Sequence, residues 1–305
     1  MKGNEPKEVY TLADLRSGIR LKPPVRLGVF GDPVAHSRSP AMQNAALAEC
    51  GIDLGYARFS IHADELREAL NLVREHDFVG LNLTVPHKVA AAAIVDELKT
   101  DAWEIGAVNT IVVRDKRLLG FNTDAIGFAR AVRSEFSVDL RDLRVLLLGA
   151  GGAARAIAVQ CARAQCERLA VVARDVEKAR ELSELVREAF TGPRVLGPAA
   201  RLEAVPWQEN NLRFQIEHSD MVVNATPLGL RPNDPAVLPA TLLQPHLFVF
   251  DTVYGERPTA LVQNAREAGA RASDGLPMLL HQGARAFELW FQREAPLEAM
   301  RQALR

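Results

Sequence analysis

The 305-residue sequence predicts an α/β protein of two domains. An N-terminal α/β domain with a mostly parallel sheet precedes a C-terminal Rossmann-type dinucleotide-binding domain, with a cleft between them. Three observations predict this. Apolar strand patterns alternate with helical patterns along most of the chain, the rhythm of βαβ units. Residues 145–155 (VLLLGAGGAAR) carry an apolar strand into G-x-G-x-x-A and then into an Ala-rich helix, a pattern suited to a dinucleotide pyrophosphate at a helix N-terminus. That motif has about 140 residues ahead of it, so a separate unit comes first, the one that holds whatever the cofactor reacts with.

Taken in order, residues 1–24 form an N-terminal extension with one short helical pattern over 11–16, closed by Pro23-Pro24. A strand over 26–30 follows, then a helix over 40–50 stopped by Gly51, a helix over 63–75, a strand over 80–85 and a helix over 86–98. Runs 107–113 and 117–123 flank Asp115-Lys116 as a hairpin that closes the first domain. The second series starts at Arg144, with strands near 169–173, 221–225 and 247–251 and a helix over 176–190. Helices over 259–268 and 277–293 end it, the last returning to the first domain. The predicted division is 25–128 plus 276–305 for the substrate-binding, catalytic domain and 129–275 for the dinucleotide domain.

Composition narrows the partners. The net charge is −1 with acids and bases interleaved, so there is no basic stripe for nucleic acid or anionic lipid. No apolar run nears the roughly 18 residues of a membrane span, and the first ten residues are polar, without a leader's apolar core. Cys50, Cys161 and Cys166 lack C-x-x-C spacing and read as small core residues in a reducing, cytoplasmic compartment. The histidines show no metal-ligand spacing. A small-molecule ligand is expected, with monomer and homodimer both open.

In the glycine motif, Gly149 permits the tight turn, Gly151 lets the backbone approach the pyrophosphate, and Ala154 allows close helix packing. At the end of the next strand Arg174 stands where NAD-preferring folds place an acid, with Lys178 one helical turn on. Two cations point to a 2′-phosphate and hence to NADP; Asp175 beside them keeps NAD open.

In the first domain, Ser37 and Ser39 flank Arg38 ahead of Pro40, which biases Ser39 toward an extended conformation and aims both hydroxyls to one side to grip a carboxylate. Ser39 with Pro40 also reads as an N-cap followed by N1. Asn82 and Thr84 share one face of an apolar strand, where buried polar groups need a partner. Lys88 sits in the first turn of the next helix, opposing its macrodipole, and a plain exposed lysine is the alternative. The hairpin register sets Asn109 opposite Asn122 with Asp124 near the same end, and Gln282 interrupts the apolar stripe of the 277–293 helix.

Those residues fall into an ordered set of motifs. H-S-x-S-P spans 36–40, N-x-T-x-P-x-K 82–88, G-A-V-N-T 106–110, N-T-D 122–124, G-A-G-G-A-A-R 149–155, N-A-T-P-L-G 224–229 and D-G-L-P-M-L 274–279. Over about residues 26–293 the chain resembles the shikimate dehydrogenase family. The resemblance implies a cytoplasmic, NADP-dependent oxidoreductase that reduces 3-dehydroshikimate to shikimate in aromatic amino-acid and chorismate biosynthesis. It implies that Lys88 and Asp124 are the catalytic pair and that Ser37 and Ser39 clamp the carboxylate. Asn82, Thr84, Asn109, Asp124 and Gln282 would bind the ring hydroxyls, with Tyr254 alongside. Gly149, Ala150, Gly151, Gly152, Ala153, Arg174, Lys178, Thr226, Thr252 and Gly275 would bind the cofactor, with Asp101 at the lip. Gln43 stands where the family often has His, Ala125 where Gly is frequent, and Asp175 where Thr is common. Two alternatives stay open: an NAD-dependent quinate/shikimate dehydrogenase, and a non-catalytic dinucleotide-binding regulator that a retained Lys88 and Asp124 argue against.

Overall fold

The computed structural model describes residues 6–191, 200–231 and 234–305, so the first five residues of the expected extension lie outside the described residues. The chain divides into two compact units, one made of 1–123 and 279–305, the other of 124–278. The break comes just before a helix, Asp124–Phe136, which stays whole in the second unit rather than being cut at 128.

The first unit begins with β1 (Tyr10–Thr11), α1 (Leu12–Ser17), β2 (Val25–Gly31), α2 (Ser39–Glu49), β3 (Gly55–Ser60), α3 (Leu66–Glu75) and β4 (Gly80–Leu83). It continues through α4 (His87–Ala92), β5 (Glu97–Leu98), α5 (Thr100–Ile105), β6 (Thr110–Arg114) and β7 (Arg117–Phe121). Its seven strands lie in the order β1-β3-β2-β4-β6-β7-β5. Pairing is parallel except for β4 with β6 and β6 with β7, which are antiparallel. Phe30, Phe59, Leu70, Val73, Leu81, Ile111 and Leu118 fill its core, with the Phe30 and Phe59 rings 5.1 Å apart. Each such side chain contributes about 1.5–3 kcal/mol by leaving water.

Two expectations change here. The extension is part of the unit: β1 pairs with β3 at the sheet edge, and Leu12 and Leu15 of α1 are buried. The helix expected over 86–98 ends at Ala92, because Ile94, Val95 and Leu98 pack on the core and β5 pairs with β7. Packing overrides the helical propensity of an Ala-rich run.

The second unit holds α6 (Asp124–Phe136), β8 (Arg144–Leu148), α7 (Gly152–Arg163), β9 (Arg168–Ala173), α8 (Val176–Val186), β10 (Leu202–Pro206) and α9 (Glu209–Glu217). After them come β11 (Met221–Asn224), β12 (Phe248–Asp251), α10 (Ala260–Glu267) and β13 (Arg271–Ser273). Among the described residues its six strands are all parallel, in the order β10-β9-β8-β11-β12-β13. Counting from β8, that is the 3-2-1-4-5-6 order of a doubly wound dinucleotide fold, whose ligand crevice lies beyond the carboxyl ends of the strands where the order reverses, here β8 and β11. Phe128 of α6 meets Phe250 of β12 edge-on, with ring centroids 5.4 Å apart. Cys161 and Cys166 are buried. The helix α11 (Leu276–Phe291) and α12 (Leu297–Gln302) complete the chain. Within the first unit, Trp290 Nε1 of α11 donates to the Ile111 carbonyl at 2.9 Å. Among the described residues no helix is long and apolar enough to cross a membrane.

Candidate active site

In the first unit the predicted polar residues gather where β4, β6 and β7 end. Asp115 and Lys116 both take positive φ (49° and 58°), the conformation of a type I′ turn, and the ladder runs from Arg114↔Arg117 to Thr110↔Phe121. One step further, Asn109 stands level with Asn122, as the hairpin spacing predicts. Asn109 Oδ1 accepts from the Thr123 amide at 2.8 Å and its Nδ2 donates to Thr123 Oγ1 at 3.0 Å and Gln282 Oε1 at 3.3 Å. Thr123 Oγ1 also reaches Gln282 Oε1 at 3.3 Å. Asn82 Nδ2 donates to the Asn109 carbonyl and to Thr110 Oγ1, and Tyr56 donates to Asn82 Oδ1 at 2.8 Å. Asn82, Asn109, Thr110, Thr123 and Gln282 are all buried. A network so enclosed is rigid, because each lost hydrogen bond leaves a desolvated polar atom costing about 1–3 kcal/mol. Asn122 stands apart from this set, its Nδ2 donating to the Ala107 carbonyl at 2.9 Å.

Thr84 is half-buried just past β4, its amide bonded to the Phe30 carbonyl at 2.9 Å. Lys88 is half-buried in the first turn of α4, and its carbonyl accepts from the Val108 amide at 2.7 Å, tying the helix to the strand that leads to Asn109. His87 beside it is buried and donates through Nε2 to the Ile61 carbonyl at 2.8 Å; burial pushes its imidazole below the usual range. Asp101 lies in the first turn of α5.

Ser37 and Ser39 are both buried, and Ser37 Oγ accepts from the Ser39 amide at 3.3 Å. The local conformation differs from expectation. Arg38 occupies the N-cap of α2, with no side-chain cap hydrogen bond, and Ser39 is the first helical residue rather than an extended one. Ser39 is therefore not the cap. Gln43, one turn on, is buried and donates to the Gly283 carbonyl of α11 at 2.9 Å.

In the second unit Asp124 opens α6, buried, and Ala125 packs beside it in the core. Gly149 follows β8 with φ +114°, and a Cβ there would lie 2.8 Å from the Ala225 carbonyl oxygen; geometry and space both require glycine. Gly151 is different. It caps α7 with φ −85° and ψ −170°, open to any residue, and a Cβ built on it meets nothing within 4 Å. Glycine suits an N-cap better than alanine, and the open space beside it leaves the N-terminus of α7 accessible to an anion. Ala150, Gly152 and Ala153 lie half-buried on either side of it, while Ala154 is fully buried against the sheet.

Arg174 and Lys178 are exposed at the end of β9 and the start of α8. Asp175 between them is the N-cap of α8, its Oδ1 accepting from the Glu177 amide at 3.1 Å, with Lys178 Nζ 3.9 Å from its other oxygen. Thr226 donates through both its amide and Oγ1 to Asn224 Oδ1, at 3.0 and 2.7 Å. Asn224 Nδ2 in turn donates to Asp251 Oδ1 at 2.8 Å, and Thr259 Oγ1 donates to Asp251 Oδ2 at 2.7 Å. Burial, with Asp274 repelling from nearby, pushes the Asp251 carboxyl up to about 6 despite those donors. The Thr252 amide bonds to the Asn224 carbonyl at 2.9 Å, and the Gly275 amide to the Val253 carbonyl at 3.1 Å. Tyr254 is half-buried in the same turn. The residues at the ends of β8, β11 and β12 are thus brought together, whereas Arg174 and Lys178 sit a strand away on β9's side.

Sequence reasoning gave Asn224 no role beyond opening the 224–229 motif, and it missed Asp251. Each is a lone polar residue closing an otherwise apolar strand (MVVN, FVFD), and that signal was there to find.

Comparison with known proteins places these units in families. The description "Shikimate dehydrogenase substrate binding domain" matches residues 29–111, "Shikimate / quinate 5-dehydrogenase" 130–195, and "Shikimate 5'-dehydrogenase C-terminal domain" 275–305. A relative named shikimate dehydrogenase (NADP(+)) from Methanopyrus kandleri is 40% identical over 280 residues, 91% of this chain and 94% of the relative. Among solved structures, the shikimate 5-dehydrogenase of Thermus thermophilus in complex with NADP(H) and shikimate matches with TM-score 0.78 and 37% identity, covering 92% of this chain and 98% of that one. The quinate dehydrogenase of Corynebacterium glutamicum in complex with NAD matches with TM-score 0.77 and 30% identity, covering 92% and 98%.

Proposed function

From the premise that this chain belongs to the shikimate dehydrogenase family, we propose that it catalyses the reversible NADP-dependent reduction of 3-dehydroshikimate to shikimate. The observation that carries the reading is 40% identity across 91% of the chain to a shikimate dehydrogenase (NADP(+)). NADP, when bound, supplies or accepts the hydride. Gly149, Ala150, Gly151, Gly152 and Ala153 hold its pyrophosphate, Arg174 and Lys178 its 2′-phosphate, and Thr226, Thr252 and Gly275 the remainder. The space left beside Gly151 supports this assignment. Asp175 stands between the two cations, with one carboxylate oxygen capping α8 and the other 3.9 Å from Lys178 Nζ.

Ser37 and Ser39 bind the substrate carboxylate, and Tyr254 joins the residues that bind the ring hydroxyls. Asn82, Thr84, Asn109, Gln282 and Asp124 bind the ring hydroxyls. As hydride reaches the ketone carbon, negative charge grows on its oxygen; the Lys88 ammonium stabilises that charge and delivers the proton, and Asp124 orients the lysine. In the opposite direction Lys88 receives the proton from the hydroxyl.

Steady-state assays of shikimate and quinate, each with NADP+ and NAD+, test the reading. The expected result is highest kcat/KM for shikimate with NADP+. Dominant quinate turnover with NAD+ would instead make it a quinate dehydrogenase, and no turnover in any combination a regulator.

A further inference from the structure

Arg58 is a residue that none of these roles absorbs. It lies half-buried on β3, and its Nε donates to the Ser37 carbonyl at 2.9 Å. One of its five donors is therefore spent on a backbone oxygen, and among the described residues no carboxylate pairs with its charge. A guanidinium partly withdrawn from water in this way gains from any anion brought beside it.

Its charge is felt in the segment that carries the serines. The His36 imidazole is held below its usual range, first by burial and then by Arg58. The two buried hydroxyls of Ser37 and Ser39 supply direction for a carboxylate but no charge. The N-terminus of the 11-residue helix α2 adds only partial charge. We infer that Arg58 is a positioning and specificity-determining residue for the substrate carboxylate, fixing the Ser37 carbonyl and supplying the positive charge that the two serines lack. The inference rests on the proposed dehydrogenase reading and on the serine clamp within it.

The test compares shikimate with its uncharged methyl ester, at saturating NADP+, in the wild type, Arg58→Gln and Arg58→Lys. Gln can still donate to the Ser37 carbonyl but carries no charge. Arg58→Gln is expected to raise KM for shikimate about tenfold or more, with kcat held within about threefold and KM for NADP+ unchanged. Its kcat/KM for the ester changes by about twofold at most, and Arg58→Lys keeps most of the preference for the acid. Equal losses with acid and ester, or no loss with either, overturn the inference. If Arg58→Gln does not melt cooperatively, salt decides: NaCl raises the wild-type KM for the acid and not for the ester, and a salt-independent KM for the acid overturns the inference. A wild type that oxidises neither compound refutes the dehydrogenase reading itself, a separate outcome.

Discussion

Gly151→Ala separates a glycine kept for the fold from one kept for a ligand. The added methyl group meets no atom of the protein within 4 Å, and φ −85° with ψ −170° is accessible to alanine. Losing a glycine from the unfolded ensemble gains about 0.4–1 kcal/mol. Losing glycine at a helix N-cap costs about 0.5–1 kcal/mol. The two nearly cancel, so the melting temperature should move by no more than about 4 °C. The same methyl group fills the space by which a pyrophosphate reaches the first amides of α7. Overpacking a contact of that kind costs about 1–3 kcal/mol, so KM for NADP+ should rise about 5–150-fold.

The assay pairs a thermal melt without cofactor with steady-state kinetics at saturating shikimate, and Gly149→Ala is the contrast. There the Cβ would sit 2.8 Å from the Ala225 carbonyl at φ +114°, so stability and cofactor use should both fail. A Gly151→Ala protein with wild-type KM for NADP+ would refute the argument that the empty space beside this residue belongs to the cofactor. A strongly destabilised one would refute the premise that the fold has no need of the glycine.

Lys88→Ala should lower kcat about 10²–10⁴-fold with KM for NADP+ little changed; wild-type turnover would remove the lysine from the chemistry. Replacing Arg174 and Lys178 together by Ala should weaken NADP+ use about tenfold or more while leaving NAD+ use intact, and equal losses with both cofactors would show that the pair does not read the 2′-phosphate. Asp251, pushed up to about 6 from 3.8, keeps its proton in the folded state at pH values where the unfolded chain has released it. Its contribution should therefore be largest below about pH 4 and be lost as the pH rises to about 6, a change of about 3 kcal/mol, read as the difference between wild-type and Asp251→Asn urea midpoints across that range.

Legibility from sequence followed the locality of the physics. The hairpin was readable because Asp115-Lys116 tolerates two successive left-handed residues, and once the turn is placed the register follows by counting. The glycine motif was readable because strand, turn and helix are adjacent in the chain. The short edge strands β1, β5 and β13 were not, since two or three residues carry no period and pair only because the sheet is already there. The end of α4 was lost for a related reason: local propensity favours more helix, and the burial of Val95 and Leu98 is visible only in three dimensions. Ser37 and Ser39 were found as residues, but their conformation was misjudged, because proline at N2 of a helix tolerates a helical neighbour when Arg38 takes the cap.

What the motifs reveal only in part is the layer behind them. Asn109 is held by Thr123 and Thr110, Thr226 by Asn224, Asn224 by Asp251, and Ser37 by Arg58. Thr110 and Asn224 stand one and two residues from the groups they hold, inside the same motifs, whereas Thr123, Asp251 and Arg58 come from other strands or strand ends, with no fixed spacing to betray them. Their physical role follows from cost. A polar side chain meant to grip a ligand must face a site without collapsing onto its own backbone, and it holds one rotamer only if its other hydrogen-bonding atoms are already occupied. Asn224 is the clearest case: its oxygen accepts twice from Thr226 and its nitrogen donates to both Leu228 and Asp251, so removing the carboxylate would free one donor and, with it, the orientation of the loop. The network therefore binds stability and ligand recognition to the same atoms. A substitution behind the site should disturb cofactor affinity and folding together, whereas one in the open space beside Gly151 disturbs affinity alone.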